Sequence, residues 1–174
     1  MIKSEMHSIN LDQPTPHNSG VTKQNDISLE MAGPPQLGDL LPLVTAYHLF
    51  EAISLSADIR EKSIERLLSD GTLGEVWLIK KSDHLIGYVV VCFSYSIELG
   101  GREAFIDEFY IEALARGKGI GAEILGRLKE HMRSHDVVAI QLEVDQLNER
   151  AKSLYVQSGF SCRDKYQLMT IALK

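Results

Sequence analysis

The run Arg116-Gly117-Lys118-Gly119-Ile120-Gly121-Ala122 has the residue types and spacing to hold a phosphate. It follows strand-like alternation and opens a stretch of helical spacing. Glycine lets backbone N–H groups come close to a ligand. A helix start adds unpaired donors and a partial positive charge, which together favour an anion. Arg116 and Lys118 set full charges beside them. A pyrophosphate suits this chemistry, but two familiar pyrophosphate loops do not fit. A Walker loop needs Ser or Thr after Gly-Lys, and here Gly119 follows Lys118. A dinucleotide fingerprint needs Gly-x-Gly-x-x-Gly after the first strand of its domain; this Gly-x-Gly-x-Gly comes after about the fourth. Taken alone, such a turn also serves plain close packing, so its surroundings decide.

Ile106-Asp107-Glu108-Phe109-Tyr110-Ile111 leads into that run. Together they resemble the cofactor motif of the GNAT N-acetyltransferase superfamily, which reads Arg/Gln-x-x-Gly-x-Gly/Ala after a strand. Every specified position matches. Downstream, Asn148-Glu149-Arg150-Ala151-Lys152-Ser153-Leu154-Tyr155, ending in Gly159-Phe160, is similar to the superfamily's Asn-x-x-Ala-x-x-Leu-Tyr…Gly-Phe segment. The resemblance runs from about Asp26 to Lys174. It implies acetyl-CoA as co-substrate, lying between two splayed parallel strands, here Ala104–Ile111 and Val137–Asp145. The pantetheine arm is then expected on Phe109, Tyr110 and Ile111, as an amide-rich chain adds to an open strand edge. The pyrophosphate is expected on the backbone of Arg116, Gly117, Lys118, Gly119, Ile120, Gly121 and Ala122. The Asn148 side chain is expected on the arm.

The implied reaction is attack of an amine on a thioester. Only the neutral amine has a lone pair to attack with. An alkyl amine with a pKa of about 10.4 is under about one part in a thousand neutral at pH 7, a handicap of roughly 4–5 kcal/mol. A carboxylate in the cleft relieves it, directly or through a water. Glu108 occupies the strand position where several GNAT enzymes keep this base, and Asp107 is the neighbouring alternative. Strand alternation sends the two to opposite faces, and a period of two puts apolar Ile106 on the face of Glu108, where desolvation would raise the carboxyl. Tyr155 matches the tyrosine that protonates the leaving thiolate. A phenol with a pKa near 10 is still protonated at pH 7.

No other cluster carries comparable chemistry. His131 and His135 stand four apart near a helix end, but lack the Glu of His-Glu-x-x-His and a third ligand. They read as a solvated helix end, favoured by the helix dipole, and no metal is expected. Trp77 and the Phe93–Tyr95 pair read as core or cleft wall.

These residues need elements to position them. Ile27, Leu29 and Met31 alternate as a strand. Asp39 can cap a helix carrying Leu40, Leu41, Val44 and Tyr47, with Pro42 in its first turn. A second helix spans Ser56 to Asp70 and stops at Gly71. Val76–Ile79 and Leu85–Tyr95 form a hairpin around Ser82-Asp83-His84. Ala104 to Ile111 is a third strand of that group. Gly119 to Ser134 is a helix with Ile120, Ile124, Leu128 and Met132 at every fourth position. Val138 to Val144 is a strand, Asn148 to Ser158 a helix, and Tyr166 to Leu173 a closing strand. The fold class is α/β (α+β): a GNAT-like, mixed, mostly antiparallel twisted sheet of roughly six to seven strands flanked by about four helices. Residues 1–24, with Pro14, Pro16, Ser19 and Gly20, read as a flexible tail, and residues 25–174 as the acetyltransferase domain.

The chain has 174 residues and a formal net charge of −6. The acidic balance argues against nucleic acid, whose binding depends on neutralising phosphates, and mildly favours cationic acceptors. No apolar run approaches the ~20 residues of a membrane span. The N-terminus lacks a signal-peptide core, and Cys92 and Cys162 form no disulfide framework, so a cytoplasmic protein is expected. Acetyl transfer to a primary amine of a small molecule is the leading function. Acetylation of a protein N-terminus or lysine, and a non-catalytic acyl-CoA-binding module, are the alternatives. A homodimer is compatible with the resemblance.

Overall fold

The computed structural model describes residues 26–173; the tail expected over residues 1–24 lies outside them. The elements run β1 (Ile27–Met31), α1 (Leu37–Phe50), α2 (Ala57–Ser69), β2 (Gly74–Lys81), β3 (His84–Ser96), β4 (Gly101–Ile111), α3 (Ile120–Ser134), β5 (Val137–Leu142) and α4 (Glu149–Gln157). The strands lie side by side in sequence order. The pairs from β1 to β4 are antiparallel, and β4 pairs with β5 in parallel. A parallel partner needs a crossover, and α3 supplies it. The β2–β3 turn places Ser82 and Asp83 at φ 47° and 64°, the paired left-handed residues of a two-residue hairpin loop.

Helices cover both faces of the sheet. On one face Ile79, Val89, Val91 and Ile106 pack with Ile120, Ile124, Leu128 and Met132 of α3. The four-residue spacing read from the sequence is therefore the buried stripe of that helix. On the other face Leu78, Tyr88 and Val90 pack with Leu40, Leu43 and Val44 of α1 and Ile64 of α2. Gly126 sits inside α3, where an added Cβ would meet nothing within 4 Å. Gly126→Ala is therefore expected to stabilise the fold by about 0.5–1 kcal/mol, by restricting the unfolded chain. A calorimetric melt rising by a few degrees checks this.

The sheet has five strands among the described residues, against the expected six to seven. Tyr166–Leu173 forms no strand, and its apolar side chains stand exposed. They fall on both phases: Tyr166 and Leu168 on one, Met169, Ile171 and Leu173 on the other. No single face specifies a register, and a strand without a ladder partner satisfies none of its backbone groups. Strand β5 ends at Leu142, two residues short of Val144. Helix α1 begins before Asp39, which stands in its first turn, and Pro42 lies inside the helix, where it forgoes one backbone bond. Ser56 caps α2, its Oγ accepting from Ile59 N. His131 is not a solvated helix end. Its Nε2 is 3.1 Å from Glu75 Oε2 and its ring packs edge-on to Trp77.

Candidate active site

The β4–β5 ladder stops at Ile106 and Leu142. Strand β4 runs on to Ile111 while the other chain turns away through Glu143, Val144 and Asp145. The two strands therefore part, and the gap widens into a cavity of about 620 Å³, a size suited to a cofactor. Phe109, Tyr110 and Ile111 line its strand side; Asn148 and Tyr155 line it from α4. Helix α1 contributes Tyr47 and Phe50, joined by the adjacent Glu51.

The glycine-rich run closes one end. Arg116, Gly117, Gly119, Ile120, Gly121 and Ala122 all line the cavity. Gly117 and Gly119 adopt φ 78° and 79°, a left-handed backbone that suits glycine. Gly119 is the N-cap of α3, so the helix starts with its free N–H groups at the cavity wall. Gly121 serves packing as well: a Cβ there would meet Leu154 Cδ2 at 3.0 Å, so the missing side chain lets α3 and α4 approach. Lys118 does not join the wall; its Nζ donates to Leu114 O. Arg116 Nε donates to Ile111 O at 2.6 Å, while its guanidinium lies over the Phe50 and Tyr110 rings. Arg150 of α4 supplies the cation that sequence reading missed. It lines the cavity, and a Cβ at Gly117 would come within 3.1 Å of its Nη2. The signature fixes Asn148 and Ala151 but leaves position 150 open, so only the fold brings this charge to the loop.

The other end holds carboxylates and phenols, ordered by a bulge. Val90 pairs with Glu108 and Val91 with Ile106, leaving Asp107 unopposed. The extra residue breaks the alternation. Ile106 therefore faces α3 with Val91, while Glu108 faces α1 and α2 with Val90. The expected sharing of one face by Ile106 and Glu108 does not hold. Asp107 lines the cavity and Glu108 does not. Glu108 is instead engaged at both oxygens: His48 Nε2 lies 2.7 Å from Oε1, and Tyr88 OH donates to Oε2 at 2.6 Å. Asp107 opens to solvent in the cleft, yet its carboxyl is held above the usual range. Desolvation by the cleft walls is the main cause, and the charges of Glu108 and Glu143 add to it.

Residues 43–160 match the family model described as "Acetyltransferase (GNAT) family". The chain belongs to the GNAT acetyltransferase family. It is 32% identical over 75 residues to thialysine N-epsilon-acetyltransferase of Bos taurus, a match covering 43% of this chain and 44% of that protein. The chain thus spans under half the length of this curated relative. An integron cassette protein from the mobile metagenome of Cole Harbour Salt Marsh aligns with a TM-score of 0.74 at 27% identity, covering 84% of this chain and 90% of that one. A predicted acetyltransferase from Clostridium acetobutylicum, solved with acetyl-CoA, shares the fold with a TM-score of 0.67 at 18% identity, over 83% and 96% of the two chains.

Two side chains that line the cavity are poised as donors. Burial, with the charge of Glu51 beside it, raises the Tyr155 phenol, so it is fully protonated at neutral pH. Its ring meets Phe160 edge-on at 5.7 Å, and the residue lines the cavity. Asn148 caps α4 through Oδ1, which accepts from Ala151 N at 3.0 Å, leaving the side-chain NH₂ to donate. Tyr47 is pushed up to about 12, chiefly by burial, with Glu51, Glu108, Tyr155 and Asp107 all acting on it. It was legible from the sequence only as a helix residue at apolar spacing. Among the described residues no helix is long and apolar enough to cross a membrane.

Proposed function

We propose that the protein transfers the acetyl group of acetyl-CoA to a primary amine of a small molecule. The parted strands carry this reading, with anion-binding backbone at one end of the gap and an acid–base pair at the other. The cavity fits the co-substrate. Gly119 keeps space clear at the phosphate end, since nothing stands within 4 Å of where its Cβ would be. The N–H groups at the start of α3 and the Arg150 guanidinium receive the pyrophosphate. The open edge of β4 at Phe109–Ile111 takes the pantetheine amides, and the Asn148 NH₂ donates to one of their carbonyls.

Asp107 takes the proton from the acceptor ammonium, directly or through a water, which frees the nitrogen lone pair to attack the thioester carbon. Its raised carboxyl makes it a stronger base than an ordinary aspartate. Tyr155 gives its hydroxyl proton to sulfur as the C–S bond breaks and regains one from the now cationic nitrogen, directly or through a water. CoA thus leaves as the thiol, the neutral amide remains, and Asp107 returns its proton to solvent. The relative named for acting on thialysine supports a primary amine on a small molecule as acceptor. Glu51, Asp107, Glu143 and Asp145 line the cavity and suit a cationic acceptor.

CoA release measured over a panel of primary amines, alcohols and anionic acceptors tests the reading. Amines should be acetylated, and a preference for alcohols or anions would sink it. Tyr155→Phe is expected to lower kcat by about 10–10³-fold while leaving acetyl-CoA affinity near wild type, because only the developing thiolate loses its partner. An unchanged kcat with chemistry rate-limiting would take Tyr155 out of the mechanism.

A further inference from the structure

His48 is almost wholly buried, and both of its ring nitrogens are partnered. Arg60 Nε donates to Nδ1 at 3.0 Å. A guanidinium has no acceptor, so Nδ1 must carry the lone pair and Nε2 the proton. The Nε2–H then donates to Glu108 Oε1 at 2.7 Å. On the far side of the carboxylate, the fully buried Tyr88 donates to Oε2. Arg60 also donates from Nη2 to Leu55 O at 2.9 Å. One unbroken chain of hydrogen bonds thus starts in the α1–α2 loop, passes through α2 and α1, and ends on β4 and β3. Its last acidic member is the residue next to the bulge.

The acetyl-transfer reading needs none of these groups to touch a reacting atom. Yet the loop it anchors leaves α1 through Phe50 and Glu51, which line the cavity. The strand it clamps carries Asp107 into the same cavity. Resting on the acetyl-transfer reading, we propose that Arg60 and His48 are positioning residues. They lock Glu108 in one orientation behind the bulge, and so fix Asp107 against the acceptor wall formed by the end of α1. A bulged residue has no ladder partner of its own, so its aim depends on how firmly its neighbours are held. Here Glu108 is the neighbour, and a carboxylate bonded at both oxygens cannot turn. The polarity of the chain is equally constrained. Reversing the His48 tautomer would set two N–H groups against each other at Arg60 and leave a bare lone pair facing Glu108.

The test compares His48→Gln, His48→Leu and Arg60→Met in the full chain. Glutamine offers one acceptor and one donor, in the polarity Arg60 and Glu108 require; leucine fills similar space and offers neither. His48→Leu and Arg60→Met should lower kcat by about 10–100-fold, the usual scale for a displaced reacting group, with acetyl-CoA affinity unchanged. Arg60→Met should also raise the acceptor KM, because the loop loses its tie. His48→Gln should keep a kcat much closer to wild type than His48→Leu does, because it preserves both hydrogen bonds. Equal loss in the Gln and Leu variants, or no loss in either, would overturn the proposal. A second readout needs neither activity nor a variant: ¹⁵N spectra of the wild-type histidines should show His48 as the neutral Nε2–H tautomer at pH 7, and an Nδ1–H or doubly protonated ring would refute the chain. A wild type without acetyl transfer to any acceptor would instead sink the catalytic reading, leaving the spectra to judge the network.

Discussion

Replacing Asp107 with Asn is expected to lower kcat/KM for a primary amine at pH 7 by about 10²–10⁴-fold, the usual contribution of a positioned base. Asparagine keeps the shape and loses the basicity. In the wild type, kcat/KM should rise with pH through a carboxyl held above the ordinary aspartate range. The variant should lose that limb, and its deficit should shrink toward pH 9, where more of the amine is already neutral. Glu108→Gln separates the two neighbouring carboxylates. Glu108 is one of the charges that raise Asp107, so its removal should move the limb to lower pH without abolishing it. A limb abolished by Glu108→Gln and kept by Asp107→Asn would make Glu108 the base. Stability supplies an independent sign. A raised native carboxyl binds more protons than the unfolded chain between the two pKa values, so stability falls as pH rises through that window. Asp107→Asn should therefore raise the melting temperature at neutral pH while it lowers the rate. A base that serves only structure would show the opposite.

Much of the candidate site was legible in the sequence for one reason. The half proposed for the cofactor is built from local features whose chemistry and position coincide: a strand, a glycine turn, a helix start. Arg116 to Ala122 needed no long-range contact to be read as an anion site, and the stripe Ile120, Ile124, Leu128 and Met132 announced the helix behind it. The acceptor half was not legible. Which of Asp107 and Glu108 meets the cleft depends on one unpaired residue between Val90 and Val91 across the hairpin. A bulge leaves no mark in a run such as Ile106-Asp107-Glu108-Phe109, where either phase is chemically sensible. His48, Arg60 and Glu108 are separated by 12 and 60 positions along the chain, and meet only when α1 and α2 fold over the sheet. Tyr166 to Leu173 failed differently. Its residues have strand propensity, but propensity reflects packing on a half-buried surface, and this segment has none to pack on.

The second large effect belongs to the end of the cavity proposed for the phosphates. Gly119→Val is expected to weaken acetyl-CoA binding by about 100-fold or more, close to 3 kcal/mol on the affinity scale. Two causes combine. Gly119 stands at φ 79°, where a β-branched residue is an outlier and costs about 1–3 kcal/mol. The chain can relieve that strain only by shifting the turn that aims the first N–H groups of α3. The valine would also fill the space left clear at the cavity wall, where the pyrophosphate must approach. The fold itself should survive, because beyond its two chain neighbours nothing lies within 4 Å of the new Cβ. Circular dichroism should thus show a folded variant while calorimetry shows the lost affinity. Gly126→Ala, a glycine change in the same helix but away from the cavity, should bind normally. Wild-type affinity should fall with rising salt, since exposed charge contacts are screened, and the variant should show a weaker dependence once the phosphates are displaced. Unchanged affinity in a folded Gly119→Val protein would mean that the pyrophosphate lies elsewhere, and that the left-handed turn serves only to start the helix.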